Sequence, residues 1–208
     1  SKKIEEVKKT LPDDLNIEIA FNRATYVGTA IDEVYKTLII AFILVVIIIY
    51  LFLGNIKAVI VPAVALPVSL IASFLGLYLF GLSINIFVLL SFILAIGIIT
   101  DDSVIMTDAI YRRIENGESP LIAAYKGSKQ ISFAIIATTL ILVAVFIPLI
   151  FIDGIAGTLF RETAIALSVS VVVSSFVALT LSPMLASKFL KKEPKQNFIV
   201  TKFDKFFK

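Results

Sequence analysis

The sequence has 208 residues, of which 59% are hydrophobic and 17% charged, against about 45–50% and about 25% in soluble domains. Its mean hydropathy is +1.00, and 19 basic against 16 acidic residues leave a net charge of +3. These values exclude a disordered chain, a collagen-like repeat, a disulfide-stapled scaffold and an ordinary soluble globule, and the absence of cysteine and histidine removes thiol chemistry and most zinc and triad arrangements.

The chain opens on Ser1 with no Met, and no signal peptide precedes the first apolar run, which is expected of an excised segment. Ile4, Val7 and Leu11 mark one face of a short helix that Pro12 ends. Leu15, Ile17, Ile19 and Phe21 then alternate with Asn16, Glu18 and Ala20, the period of a half-buried strand. A lone strand makes no stable sheet, so its partners are expected in sequence outside this chain. Residues 1–33 are assigned on this basis as a short α/β remnant of a larger extramembrane domain.

Beyond it, long apolar runs alternate with short charged loops, the pattern of a polytopic membrane protein. Between Leu38 and Ile110 the charged residues are Lys57, Asp101, Asp102 and Asp108 alone. Since about 20 apolar residues cross roughly 30 Å of hydrocarbon, five spans are predicted, at about 35–53, 58–80, 84–111, 131–152 and 163–187. Gly54-Asn55 turns the chain after the first span and Gly81-Leu82-Ser83 after the second. An amphipathic lead-in from Ser119 precedes the fourth. Pro62, Pro67, Pro148 and Pro183 fall within spans, where neighbouring helices can satisfy the freed carbonyls. The fold class is thus an all-α membrane bundle over residues 34–190.

Lys57, then Arg112, Arg113, Lys126 and Lys129, then Lys188, Lys191, Lys192 and Lys195 all fall on one side of five spans, which is expected to be cytoplasmic. The basic residues border apolar runs, so the net charge is no nucleic-acid signal. The tail, 191–208, sets Phe198, Phe203, Phe206 and Phe207 among Lys202, Lys205 and Lys208, which suits a helix lying on an anionic inner leaflet.

The outlier is Asp101-Asp102. The third span would be about 42 Å long at 1.5 Å per residue, with its middle close to Ile98, so the acidic pair lies near mid-membrane. A charge at the bilayer centre costs about 2.5–3.5 kcal/mol on insertion scales, so the pair must face a bundle interior or a water path. Burial and a like-charged neighbour both disfavour ionised carboxylates, and such a pair titrates as a unit. That chemistry suits a proton relay. A purely structural ion pair is the alternative, but the spans hold no Lys or Arg at matching depth; metal ligation is a third reading, for which the sequence supplies no further ligands. Thr100 and Asp108 are candidate supporting residues, and Ser103 and Thr107 also surround the acids. Asp108 lies one heptad-like step beyond Asp101 on the same face. Asn85 is expected to anchor the turn into the third span. No phosphate-cradling glycine loop occurs, so no nucleotide or other cofactor is expected, and a proton gradient is the expected energy source.

The run Gly81-Leu82-Ser83-Ile84-Asn85, followed by Leu94-Ala95-Ile96-Gly97-Ile98-Ile99-Thr100-Asp101-Asp102, resembles the acidic-pair helix of the RND (resistance-nodulation-division) transporters, in particular their hydrophobe/amphiphile multidrug efflux branch. The likeness extends through Tyr50-Leu51-Phe52-Leu53-Gly54-Asn55, Val145-Phe146-Ile147-Pro148, Leu159-Phe160-Arg161-Glu162 and Leu181-Ser182-Pro183-Met184-Leu185. It implies the end of one periplasmic loop and the second to sixth membrane helices of an N-terminal half, in a multi-pass protein of the bacterial inner membrane. It further implies proton-driven export with Asp101 and Asp102 as the relay, a lysine partner in the other half of the pump, and a homotrimer working with a periplasmic adaptor and an outer-membrane channel. Asp108-Ala109 stands where the family usually has Glu-Asn, and Thr100 where valine is common. The contrasting expectation is an RND-like accessory or scaffold in protein or lipid translocation, inactive as an isolated piece. No enzymatic activity is expected from either.

Overall fold

The computed structural model describes residues 23–82 and 85–191. The predicted N-terminal helix and strand and the predicted interfacial tail lie outside the described residues. Among the described residues the chain is a bundle of five helices: α1 (Arg23–Leu53), α2 (Ile56–Leu79), α3 (Ile86–Glu115), α4 (Pro120–Phe146) and α5 (Gly154–Phe189), with a 3-10 turn at Ile147–Phe151 before α5. All five are long and apolar enough to cross a membrane, and no strand occurs among these residues. The all-α membrane bundle read from hydropathy is therefore the observed fold.

The ends of the helices follow local chemistry. Asn55 precedes α2 in extended conformation, and its side-chain oxygen accepts from the backbone N–H of Lys57. Asn85 does the same for α3, accepting from Val88 N at 2.9 Å. Each satisfies one of the N–H groups that a helix start leaves unpaired. Gly54 and Gly117 follow α1 and α3 with φ of 63° and 97°, a left-handed conformation that a side chain disfavours. Gly54 N donates back to Tyr50 O, and Glu118 N to Arg113 O.

Several predicted bounds differ from the observed ones: the third span, predicted at 84–111, is helical over Ile86–Glu115, and the fifth, predicted from 163, starts at Gly154, because Arg161 and Glu162, which a hydropathy window excludes, lie within its regular helix. Helix α1 begins before Tyr35, the predicted start of the first span, because Asp32, Glu33 and Lys36 occupy solvated turns that a hydropathy window passes over; Lys36 and Glu33 pair at 3.0 Å on the helix surface. The lead-in from Ser119 and the fourth span form one continuous helix, with Pro120 in its first turn, where a missing N–H costs nothing. That helix gives way at Phe146 to the 3-10 turn containing Pro148, which has no N–H to continue the ladder.

α5 is the hub, packing on α2, α3 and α4, and α3 also touches α1, α2 and α4. In lipid, where burial of apolar surface drives little association, close backbone approach and small residues do the packing. Ala58, Ala95, Ala123, Ala164, Ala166 and Ala186 are all fully covered. α1 and α4 keep most of their surface open, and Ile39, Ile43, Ile47, Phe133, Leu140 and Val145 face outward. At the basic end, Met106, Ile110, Ile114, Ile135 and Leu190 form one core. At the opposite end, Leu77, Val88, Phe92 and Ala166 form another, with the rings of Phe74 and Phe92 4.5 Å apart.

Candidate functional site: an acidic pair between two apolar grooves

Asp101 and Asp102 sit at the middle of the 30-residue helix α3, so roughly 22 Å of helix extends on either side at 1.5 Å per residue. Two grooves flank them. One, of about 320 Å³, runs between α3 and α4 and is lined by both acids with Ile98, Ile105, Ile135 and Thr138. The other, of about 370 Å³, runs between α1 and α3 and is lined by Asp101 with Ile49, Gly97, Thr100 and Val104. Asp101 thus stands on the ridge between the grooves, exposed, while Asp102 turns towards α4 and is half-buried. The turn of about 100° per residue puts one carboxylate on the ridge and the next on its flank.

Neither carboxylate has a hydrogen bond or ion pair among the described residues; the basic side chains there pair elsewhere or lie towards helix ends. No group of three His, Cys, Asp or Glu able to hold a metal ion occurs among the described residues either.

The neighbouring polar residues take different parts. Thr100 lines the α1–α3 groove with Asp101, but its hydroxyl is spent on its own helix, donating to Ile96 O at 2.9 Å and Gly97 O at 2.8 Å. Thr107 likewise bonds Ser103 O at 2.7 Å. Ser103 points away from the acids and meets Ser182 of α5 at 2.9 Å. Asp108 accepts from Arg112 Nε at 2.8 Å, one turn on, with the arginine side chain largely exposed; exposed pairs of this kind contribute about 0.3–0.5 kcal/mol. The structure therefore brings Thr100 beside Asp101 and leaves Asp108 in a surface pair nearer the basic end.

What holds the acid-bearing helix is a set of cross-helix bonds on its other faces. In mid-span, Ser103 bonds Ser182, and Ser174 donates to Ile99 O at 2.9 Å, both onto α5. At the basic end, Asn55 Nδ2 donates to Tyr111 Oη at 3.1 Å, joining α2 to α3. At the opposite end, Asn85 Nδ2 donates to Glu162 Oε2, joining α3 to α5. The sequence placed Asn85 at the turn but gave no sign of its partner, because helix periodicity carries no information about which helix lies alongside. Ser103→Ala and Ser182→Ala are each expected to lower thermal stability in detergent, by about 1 kcal/mol, since each strands a buried hydroxyl; the double substitution should cost less than their sum. Fluorescence-monitored unfolding of the three variants checks this.

The chain is thus a multi-pass helical membrane protein with an acidic couple at mid-span that has no partner among the described residues, a feature that marks ion and substrate pathways through membranes. The comparisons narrow this reading. A model of the AcrB/AcrD/AcrF family matches residues 1–208. The multidrug resistance protein MdtC of Escherichia coli O139:H28 is 41% identical over 189 residues, 91% of this chain and 18% of that protein. MdtC of Pectobacterium atrosepticum is 39% identical over 192 residues, 92% of this chain and 19% of that one. An uncharacterized transporter of Haemophilus influenzae is 40% identical over 195 residues, 94% of this chain and 19% of its own length. The chain belongs to the AcrB/AcrD/AcrF family of RND multidrug efflux transporters and is a multi-pass inner-membrane protein. It spans about a fifth of the length of the curated relatives it matches.

Proposed function

We propose that this chain is the membrane half of a proton-driven exporter of hydrophobic or amphiphilic compounds, with Asp101 and Asp102 as its proton relay. The observation that carries the reading is the pair itself: two adjacent carboxylates at the centre of a membrane-length helix, between apolar grooves, with no cation beside them among the described residues. Charge held there is costly and must be offset by a cationic neighbour or by a bound proton. Exchange between these two conditions makes the pair a switch. When a cation approaches, the carboxylates ionise and attract it; when they bind protons, the attraction ends and the helices that carry the two partners can separate.

The geometry supports such an exchange on one side of α3. The grooves open the acids towards α1 and α4, whereas the face towards α5 is closed by Ser103–Ser182 and Ser174–Ile99 bonds. A cationic partner would come from the other half of the pump, docking over the ridge of Asp101. The complete assembly is proposed as a homotrimer coupled to a periplasmic adaptor and an outer-membrane channel, and the relatives' names, multidrug resistance proteins, support export of varied compounds. The energy source is a proton gradient, with no cofactor.

The test is drug-coupled proton movement. The complete transporter, reconstituted in liposomes with a proton gradient and ethidium, should dissipate the gradient faster when ethidium is present. The Asp101→Asn protein should show no such coupling. Coupling in the substituted protein equal to that of the unsubstituted one would overturn the proposal.

A further inference from the structure

The Asn85–Glu162 contact has chemistry beyond that of a helix cap. Asn85 uses its two side-chain ends separately: the oxygen accepts from Val88 N and starts α3, while the nitrogen donates to Glu162 on α5. The residue before Glu162 faces another way, Arg161 Nε donating to Ile150 O at 3.1 Å in the turn that ends α4. Two consecutive residues near the start of α5 therefore hold the ends of both helices that line the groove of Asp102.

Glu162 cannot act on the carboxylates directly. Asn85 and Asp101 are separated by roughly 24 Å of helix at 1.5 Å per residue. Its effect has to pass through the placement of α3. The basic-end part of α3 is tied by Tyr111 to Asn55, and its middle by Ser103 and Ile99 to α5. From Ile86 to Ile98 the polar cross-helix tie among the described residues is the one Asn85 makes to Glu162 just ahead of it, beside apolar packing of Val88 and Phe92 at that end and of Ala95 and Ile96 against Leu66 and Leu167 nearer the acids. This is the stretch that leads to the acids with grooves on both sides.

We propose that Glu162 is a positioning residue for proton transfer, fixing the tilt and depth of the acid-bearing helix through the side-chain amide of Asn85. The proposal rests on the proton-relay reading above. What matters is an acceptor at Glu162 and a donor at position 85 that reaches it. The negative charge is not required.

The experiment measures ethidium export by the complete transporter in everted membrane vesicles as a function of ethidium concentration. Glu162→Ala removes the acceptor. Asn85→Ser keeps a good cap but is too short to reach α5. Both are expected to lower the maximal rate about fivefold, the scale of one lost neutral hydrogen bond, and to leave the half-saturating concentration unchanged. Glu162→Gln retains an acceptor and should export at the unsubstituted rate. The Asn85→Ser/Glu162→Ala double variant should be no slower than either single one. Unsubstituted rates in Glu162→Ala and Asn85→Ser, a Glu162→Gln protein as slow as Glu162→Ala, or additive losses in the double variant would each overturn the proposal. If Glu162→Ala fails to reach the membrane, Asn85→Ser carries the decision. Asp101→Asn assayed in parallel separates the two levels: normal export there defeats the relay itself, whereas a dead Asp101→Asn beside a normal Glu162→Ala and Asn85→Ser defeats the positioning role alone.

Discussion

Asp101→Asn and Asp102→Asn, each placed in the complete transporter, are expected to lower export by about a hundredfold or more, the range associated with loss of a positioned proton-transfer group. The amount of protein in the membrane should be unchanged. Asparagine has the shape of a protonated aspartate, and neither acid makes a hydrogen bond or ion pair among the described residues that the substitution would break. It also relieves an apolar region of a charge that is expensive to hold there. Stability should therefore hold while function is lost, the opposite of what a purely structural ion pair predicts. Resistance of a pump-deficient host to ethidium, read beside an immunoblot of its membranes, decides the matter; full resistance with both variants would rule the relay out. Because the acids line one groove together and Asp101 alone lines the other, the two variants need not be equivalent in any residual leak of protons.

The second large effect is expected at a residue with no polar chemistry. Gly127 lies where α4 crosses α3, and a Cβ there would stand 2.9 Å from Ile110 Cγ1 and 3.2 Å from Ile110 Cα. The side chain could give way, but the backbone of α3 could not without shifting α4. Gly127→Val is therefore expected to destabilise the protein by about 1–3 kcal/mol, the usual cost of overpacking. The gain of up to about 1 kcal/mol that replacing a helical glycine by a good helix former brings is small for a β-branched residue. The shift would propagate: Ile131, Ala134, Ile135 and Thr138, which follow on α4, line the groove of Asp102. Export should fall together with the melting temperature in detergent. Unchanged melting would show that α4 does not approach α3 as closely as described.

The five spans were legible because the bilayer demands long, uncharged helices, and few charges interrupt residues 38–110. The acidic pair was legible for the same reason, as a costly exception in an apolar run. The two asparagines, Asn55 and Asn85, were visible as turn residues, since a cap is local and its signal is one residue deep. Their reach onto Tyr111 and Glu162 was not, and neither was the role of Ser174 and Ser182. Those contacts depend on which helices become neighbours, and hydrophobic pattern alone is the same for many arrangements of five apolar rods. The true start of α1 was hidden by its charged first turns, and the joining of the lead-in to α4 by Pro120, which marks a helix start as readily as a loop.

The two capping asparagines also impose an order of assembly. A chain inserted from its N-terminus presents Asn55 before Tyr111 exists to receive its amide, and Asn85 well before Glu162. Each cap forms locally, but the cross-helix bond of Asn55 is completed once α3 has entered, whereas that of Asn85 must wait for the fifth helix. A nascent chain stalled before Glu162 would hold its two carboxylates on a helix fastened at that end by apolar packing alone.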